Sequence, residues 1–124
     1  MPAERRRRAR LSRSGDFDRV YREGRSQANR YLVLHAFPRA AGEEPVRLGI
    51  SVGRKVGGAA ERNSVKRALR EAFWARADAL PAGHDFVLVA RADVRELVER
   101  DGTGGVEAAL AELIEASGLA AGSV

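Results

Sequence analysis

The sequence predicts an α/β fold, an α+β two-layer sandwich in which helices pack over one side of a small sheet and leave its other side available. Three observations carry this. Residues 29 to 37 alternate with a period of two, residues 60 to 76 repeat with helical period, and residues 85 to 91 contain the apolar run Phe86, Val87, Leu88, Val89. At 124 residues the chain has room for one domain with one modest core, not two.

Met1 to Arg10 reads as a flexible basic arm, because Arg5 to Arg8 and Arg10 repel one another and nothing apolar anchors them. The single domain is expected over 11 to 118. Its first helix fits Ser14 to Glu23, with Ser14 as N-cap, Asp16 and Asp18 at the positive end of the helix dipole and Gly24 as a left-handed stop. Phe17, Val20 and Tyr21 share one face of it.

In the first strand, Asn29 to Phe37, Tyr31, Val33, His35 and Phe37 lie on one side and Leu32, Leu34 and Ala36 on the other. Pro38 to Pro45 reads as a hairpin loop and Val46 to Gly53 as the second strand. A basic connection, Arg54-Lys55-Val56-Gly57-Gly58, leads into the long helix, and Pro81-Ala82-Gly83 makes a turn before the buried strand Asp85 to Arg91. Asp93 with Glu96 forms a capping pair for a short helix that stops near Gly102. A last helix fits Val106 to Ala116, with Val106, Ala109, Leu110, Leu113 and Ile114 inward and Gly118 ending it. Leu119 to Val124 is expected to be disordered.

Cysteine is absent, which removes disulfides and thiolate metal sites and suits the cytoplasm. No apolar stretch follows the basic N-terminus as a signal-peptide core, and no run of apolar residues is long enough to span a membrane. Net charge is +5, unevenly spread: residues 1 to 70 hold 18 Lys/Arg against 7 Asp/Glu, and residues 71 to 124 hold 4 against 10. A polyanion-binding surface therefore belongs to the N-terminal half. Arginine supplies 20 of the 22 cations, which suits bidentate phosphate contacts and stacking on bases.

Within the long helix, steps of about 100° place Arg62, Asn63, Lys66, Arg67 and Arg70 on one arc of roughly 140°, beside the apolar stripe of Val65, Leu69, Ala72 and Phe73. A charged arc is usually a solvated face, and that reading stands beside the functional one. Two details favour a phosphate backbone. Glu61 and Glu71 sit at the ends and leave the middle basic, where an ordinary exposed helix mixes signs, and Asn63 is a mediocre helix former whose place in the first turn suits a cap or an RNA contact.

Clustered carboxylates or paired histidines, the groups a protein nuclease needs, are missing. His35 and His84 read as packing or loop residues and not as catalysts, and Gly57-Gly58 fits no phosphate-loop pattern. What remains is a groove. Phe17 and Tyr21 with His35 and Val33 would stack unpaired bases, or Phe17 and Tyr21 simply anchor the first helix to the core.

The ordered series Arg10-Leu11, Asp16-Phe17-Asp18-Arg19-Val20-Tyr21 with Gly24, Ala28-Asn29-Arg30, Arg47-Leu48-Gly49-Ile50-Ser51-Val52 with Arg54-Lys55-Val56-Gly57, and Arg62-Asn63 with Val65-Lys66-Arg67 and Arg70-Glu71 resembles the protein subunit of bacterial ribonuclease P over nearly the whole chain. The resemblance implies a small mixed sheet packed with helices, in which the helix between parallel strands makes a left-handed crossover, an exception to the usual hand. It implies that the catalyst is a large RNA subunit with bound Mg2+, that the protein has no catalytic residue, protein-held metal or organic cofactor, and that its partners are that RNA and precursor tRNA. It places Arg62, Asn63, Lys66, Arg67 and Arg70 on the catalytic RNA, and Phe17, Tyr21, Val33, His35, Ser51 and Lys55 along a groove for the single-stranded 5′ leader. The protein would be cytoplasmic, and monomeric without RNA. Three features depart from the pattern: Ser64 replaces a second arginine after Arg62-Asn63, His35 stands where tyrosine is common, and Asp101 to Gly105 is longer than typical. The competing reading is a structural RNA-binding protein of ribosomal type.

Overall fold

The computed structural model describes residues 9–10, 14–38, 46–81 and 83–118. Its elements in chain order are β1 (Ala9–Arg10), α1 (Ser14–Glu23), β2 (Arg25–Ala28), β3 (Leu32–Pro38), β4 (Arg47–Ser51), α2 (Ala59–Arg76), a 3-10 turn (Ala77–Ala79), β5 (His84–Ala90) and α3 (Val94–Ser117). The strands form one mixed sheet in the order β1-β4-β5-β3-β2.

The expected hairpin between the first two long strands is not formed. β5 lies between β3 and β4, antiparallel to the first and parallel to the second. Its composition explains the placement: Phe86 and Leu88 face one way and Val87 the other, all fully buried, so only a central position hides both sides. The loop expected over 38 to 45 lies mostly outside the described residues. The α2 crossover thus joins neighbouring parallel strands β4 and β5.

Helices cover both faces, not one. On the first face, Leu32, Leu34, Leu48, Phe86 and Leu88 of the sheet pack with Leu69 and Phe73 of α2 and Leu110 and Leu113 of α3. On the second, Val20 of α1 meets Val87, with Phe17, Phe37 and Val89 packed at the edge of that contact. The expected open side is therefore open only where α1 does not reach.

Several local expectations change. The basic arm is not wholly free, because Ala9 and Arg10 pair in parallel with Arg47 and Leu48; residues 1–8 and the tail over 119–124 lie outside the described residues. Ser14 is the first helical residue and not the one before it. Gly24 closes α1 through its N–H to the Val20 carbonyl, 2.9 Å, but its φ is not positive. Glycine is required there for space, since a Cβ would stand 2.4 Å from the Val20 oxygen and 2.6 Å from that of Ala36. The first long strand starts at Leu32, because the Asn29 carboxamide oxygen accepts from the Tyr31 and Leu32 N–H groups, both at 3.0 Å, and so makes the turn from the edge strand β2.

Asp93 and Glu96 do not form a capping pair: the Asp93 side chain caps nothing and accepts from Arg30 Nε at 2.9 Å. The helix after Asp93 does stop at Gly102 as expected, since the φ of 62° and ψ of −153° there are not helical; the last helix follows directly across that kink, so α3 is two helices joined there. The stretch 101 to 105 is thus helix on either side of that kink, and Thr103 donates from its hydroxyl to Glu71 at 3.1 Å. Gly118 ends α3 in the left-handed conformation, φ 71°.

Candidate nucleic-acid interface

The helix α2 starts where Gly58 N–H donates to the Glu61 carboxylate, 2.8 Å, so Asn63 is not needed as a cap. Val65, Ala68, Leu69, Ala72 and Phe73 are buried, which turns the remaining arc outward. Asn63, Arg67 and Arg70 are exposed on it and Arg62 and Lys66 half-buried. The structure brings all five together as the sequence predicts. Among the described residues no carboxylate pairs with the four cations, and the nearest acids on the helix serve elsewhere, Glu61 at the N-terminus and Glu71 on Thr103. An unneutralised cationic ridge is what a polyphosphate backbone requires.

The second group lies on the other side of the sheet, and the strand register shows why. His35 of β3 pairs with Val87 of β5, which pairs with Gly49 of β4; one step along, Val33 pairs with Val89 and Val89 with Ser51. Paired residues point to the same face, so two rows of side chains cross the sheet there. Phe17 of α1 lies over Gly49, where a Cβ would stand 2.5 Å from the ring. Tyr21 meets the His35 ring edge-on with centroids 4.8 Å apart, and Phe17 at 6.2 Å. The Tyr21 hydroxyl lies near enough to the Ser51 side chain to be influenced by it, which places the tip of this α1 ring beside the end of β4.

Tyr21 is 41% exposed, the only large apolar side chain so open among the described residues. Burial of its ring raises the phenol pKa above its usual value, opposed by the nearby Ser51 side chain and reinforced by Asp18. Burial alone lowers the His35 pKa, so the imidazole is neutral at neutral pH and presents an aromatic face with a polar tip. Lys55 is exposed in the turn after β4, and no contact joins it to the aromatic group. Five of the six groove residues thus share the face of the sheet that α1 crosses, and none of the five is charged at neutral pH. Rings that offer π-faces without compensating charge suit unpaired bases.

Two contributors escape the sequence pattern. Gly49 makes the seat for Phe17, and its signal was an isolated glycine inside a strand, which marks close approach by another group. Arg47 and Asp85, opposite one another on β4 and β5, form a pair that no local spacing announces. His84 opens β5 instead of ending a turn and stacks on Phe86 at 5.8 Å. Among the described residues, no three His, Cys, Asp or Glu side chains gather as a metal site and no helix is long and apolar enough to cross a membrane.

A family model described as Ribonuclease P matches residues 6–113. The chain is similar to the ribonuclease P protein component of Clostridium acetobutylicum, 42% identical over 82 residues, or 66% of this chain and 69% of that one. It is also similar to that of Bacillus cereus, 32% identical over 111 residues, or 89% of this chain and 91% of that one. Among solved structures, the Staphylococcus aureus RNase P protein matches with a TM-score of 0.77 at 30% identity, covering 91% of this chain and 98% of that one. The Thermotoga maritima RNase P protein matches with a TM-score of 0.71 at 36% identity, over 86% and 94%.

Proposed function

This chain belongs to the ribonuclease P protein family, a subunit of an endoribonuclease holoenzyme, and from that premise we propose that it binds the catalytic RNA through α2 and the 5′ leader of precursor tRNA through the groove between α1 and the sheet. The observation that supports this most is the arc of Arg62, Asn63, Lys66, Arg67 and Arg70, cationic and without carboxylate partners among the described residues. The groove of Phe17, Tyr21, Val33, His35 and Ser51, with Lys55 in the adjoining turn, is of a different character. It offers stacking and hydrogen bonding in place of charge, as an extended single strand with unstacked bases requires.

Bond cleavage then belongs to the RNA with its magnesium ions. The protein raises affinity for precursor over mature tRNA by holding the leader, which mature tRNA lacks, and it helps magnesium bind by ordering RNA near the cleavage site. It works in the cytoplasm and is monomeric until it meets RNA.

Reconstitution tests the proposal. Purified chain plus the cognate catalytic RNA should remove the leader from precursor tRNA at a magnesium concentration where the RNA alone is slow. Arg62→Glu with Arg67→Glu should weaken that assembly while leaving the melting temperature close to that of the unaltered chain. Cleavage by the protein without RNA, or failure to stimulate the RNA, would overturn the proposal; binding without stimulation would favour a structural RNA-binding protein of ribosomal type.

A further inference from the structure

Among the cations on the outward arc of α2 stands a large aromatic side chain, Trp74. At about 100° per residue, Trp74 stands at roughly 120° on the scale that puts Arg62 at zero, between Arg70 at about 80° and Arg67 at about 140°. It is the only tryptophan in the chain. Residues 63, 67 and 70 on the same arc are exposed, yet Trp74 is half-buried, because its indole turns back and meets Phe73 edge-on, centroids 5.0 Å apart and planes at 88°. Phe73 itself is fully buried and touches Phe86 of the central strand at 5.5 Å. The indole is therefore braced by the core and keeps only part of its surface open to solvent.

We propose that Trp74 is an additional RNA contact on α2: its indole stacks on an unpaired base of the catalytic RNA while Arg70 and Arg67, one and two turns before it, hold the flanking phosphates. The proposal rests on the reading of α2 as the catalytic-RNA surface. Three features of the site select this occupant. Cations flank the ring, so the partner is anionic. An aromatic face between cations is the combination that binds single-stranded nucleotides, with charge for the backbone and a π-surface for the base. The ring is already immobilised by Phe73, so stacking orders little that was free. A protein partner for the open part of the indole would sit poorly against two unneutralised guanidinium groups.

The single tryptophan supplies its own readout. Titration of the full chain with the cognate catalytic RNA should quench indole emission in step with complex formation, and Trp74→Leu should weaken binding by about tenfold or more. Trp74→Phe, which keeps a stacking face and the contact with Phe73, should retain most of the affinity, and its melting temperature reports any loss of fold separately. Binding of Trp74→Leu equal to that of the unaltered chain, or emission unchanged in a complex that does form, overturns the stacking contact while the α2 reading stands. If Arg67→Glu with Arg70→Glu also leaves binding unchanged, the α2 reading falls, and the stacking contact with it.

Discussion

The Asp85 carboxylate is fully buried and accepts two hydrogen bonds from the Arg47 guanidinium, 2.8 Å from Nε and 2.7 Å from Nη2, across the register pair that joins β4 to β5. Removing one partner of such a pair costs more than the pair itself contributes, because a charge is left in a poorly solvated place. Arg47→Met should lower the unfolding free energy by about 2 to 4 kcal/mol, the smaller end reflecting the guanidinium's 29% exposure. Arg47→Met with Asp85→Leu should recover much of that. Denaturant melts of the three proteins decide it; a double variant as unstable as the single would show that the pair does not act as a unit.

Gly49 leaves no room above it. Gly49→Ala places a methyl group 2.5 Å from the Phe17 ring, so Phe17 must move and the groove changes shape. The expected outcome is a stability loss of about 1 to 3 kcal/mol, weaker preference for leader-bearing over leaderless tRNA, and unchanged affinity for the catalytic RNA.

His35 makes stability depend on pH in a defined direction. Burial lowers its pKa below the usual 6.5, so in the window between its folded value and about 6.5 the unfolded chain binds the extra proton. Stability is full above that window and falls as the pH drops through it. In His35→Phe this contribution is gone, and the stability gap between the two proteins should be constant near pH 8 and shift towards the variant as the pH falls below about 6. A parallel pH profile for both would refute the assignment.

Gly102 occupies a backbone region essentially reserved for glycine, φ 62° and ψ −153°. Gly102→Ala should cost about 1 to 3 kcal/mol in a denaturant melt, although a Cβ there would touch nothing within 4 Å. The strain would be purely conformational.

Salt separates the two surfaces. Arg67→Gln should reduce the log-log salt slope of catalytic-RNA binding by about 0.7 to 0.9, while Phe17→Ala should weaken leader binding with the slope unchanged.

The helices were legible because their burial is periodic: Val65, Leu69 and Phe73 announce α2 and its outward arc, and Leu110 with Leu113 announces the second half of α3. Strand partners were not legible, since alternation in β3 says which residues face together and nothing about which strand lies beside them. Only the all-apolar β5 hinted at a central place. The edge strand β2, Arg25-Ser-Gln-Ala, is too polar to show a pattern. Asp93 looked like a cap because helix-start spacing is local, whereas its partner Arg30 comes from a distant turn. The aromatic group followed from residue types, but the Gly49 seat and the approach of Tyr21 to Ser51 depend on how α1 crosses the sheet.

The insertion of β5 between β3 and β4 bears on how the molecule comes into being on the ribosome. Until residues 84–90 leave the exit tunnel, β3 and β4 have no neighbour to bind each other through, and the apolar side of α2 has no finished surface to rest on. A nascent chain stopped before His84 would expose its cationic helix α2 with no scaffold beneath it. Release of the final third, and not emergence of the cationic segment, therefore sets the moment at which an assembly-competent subunit exists.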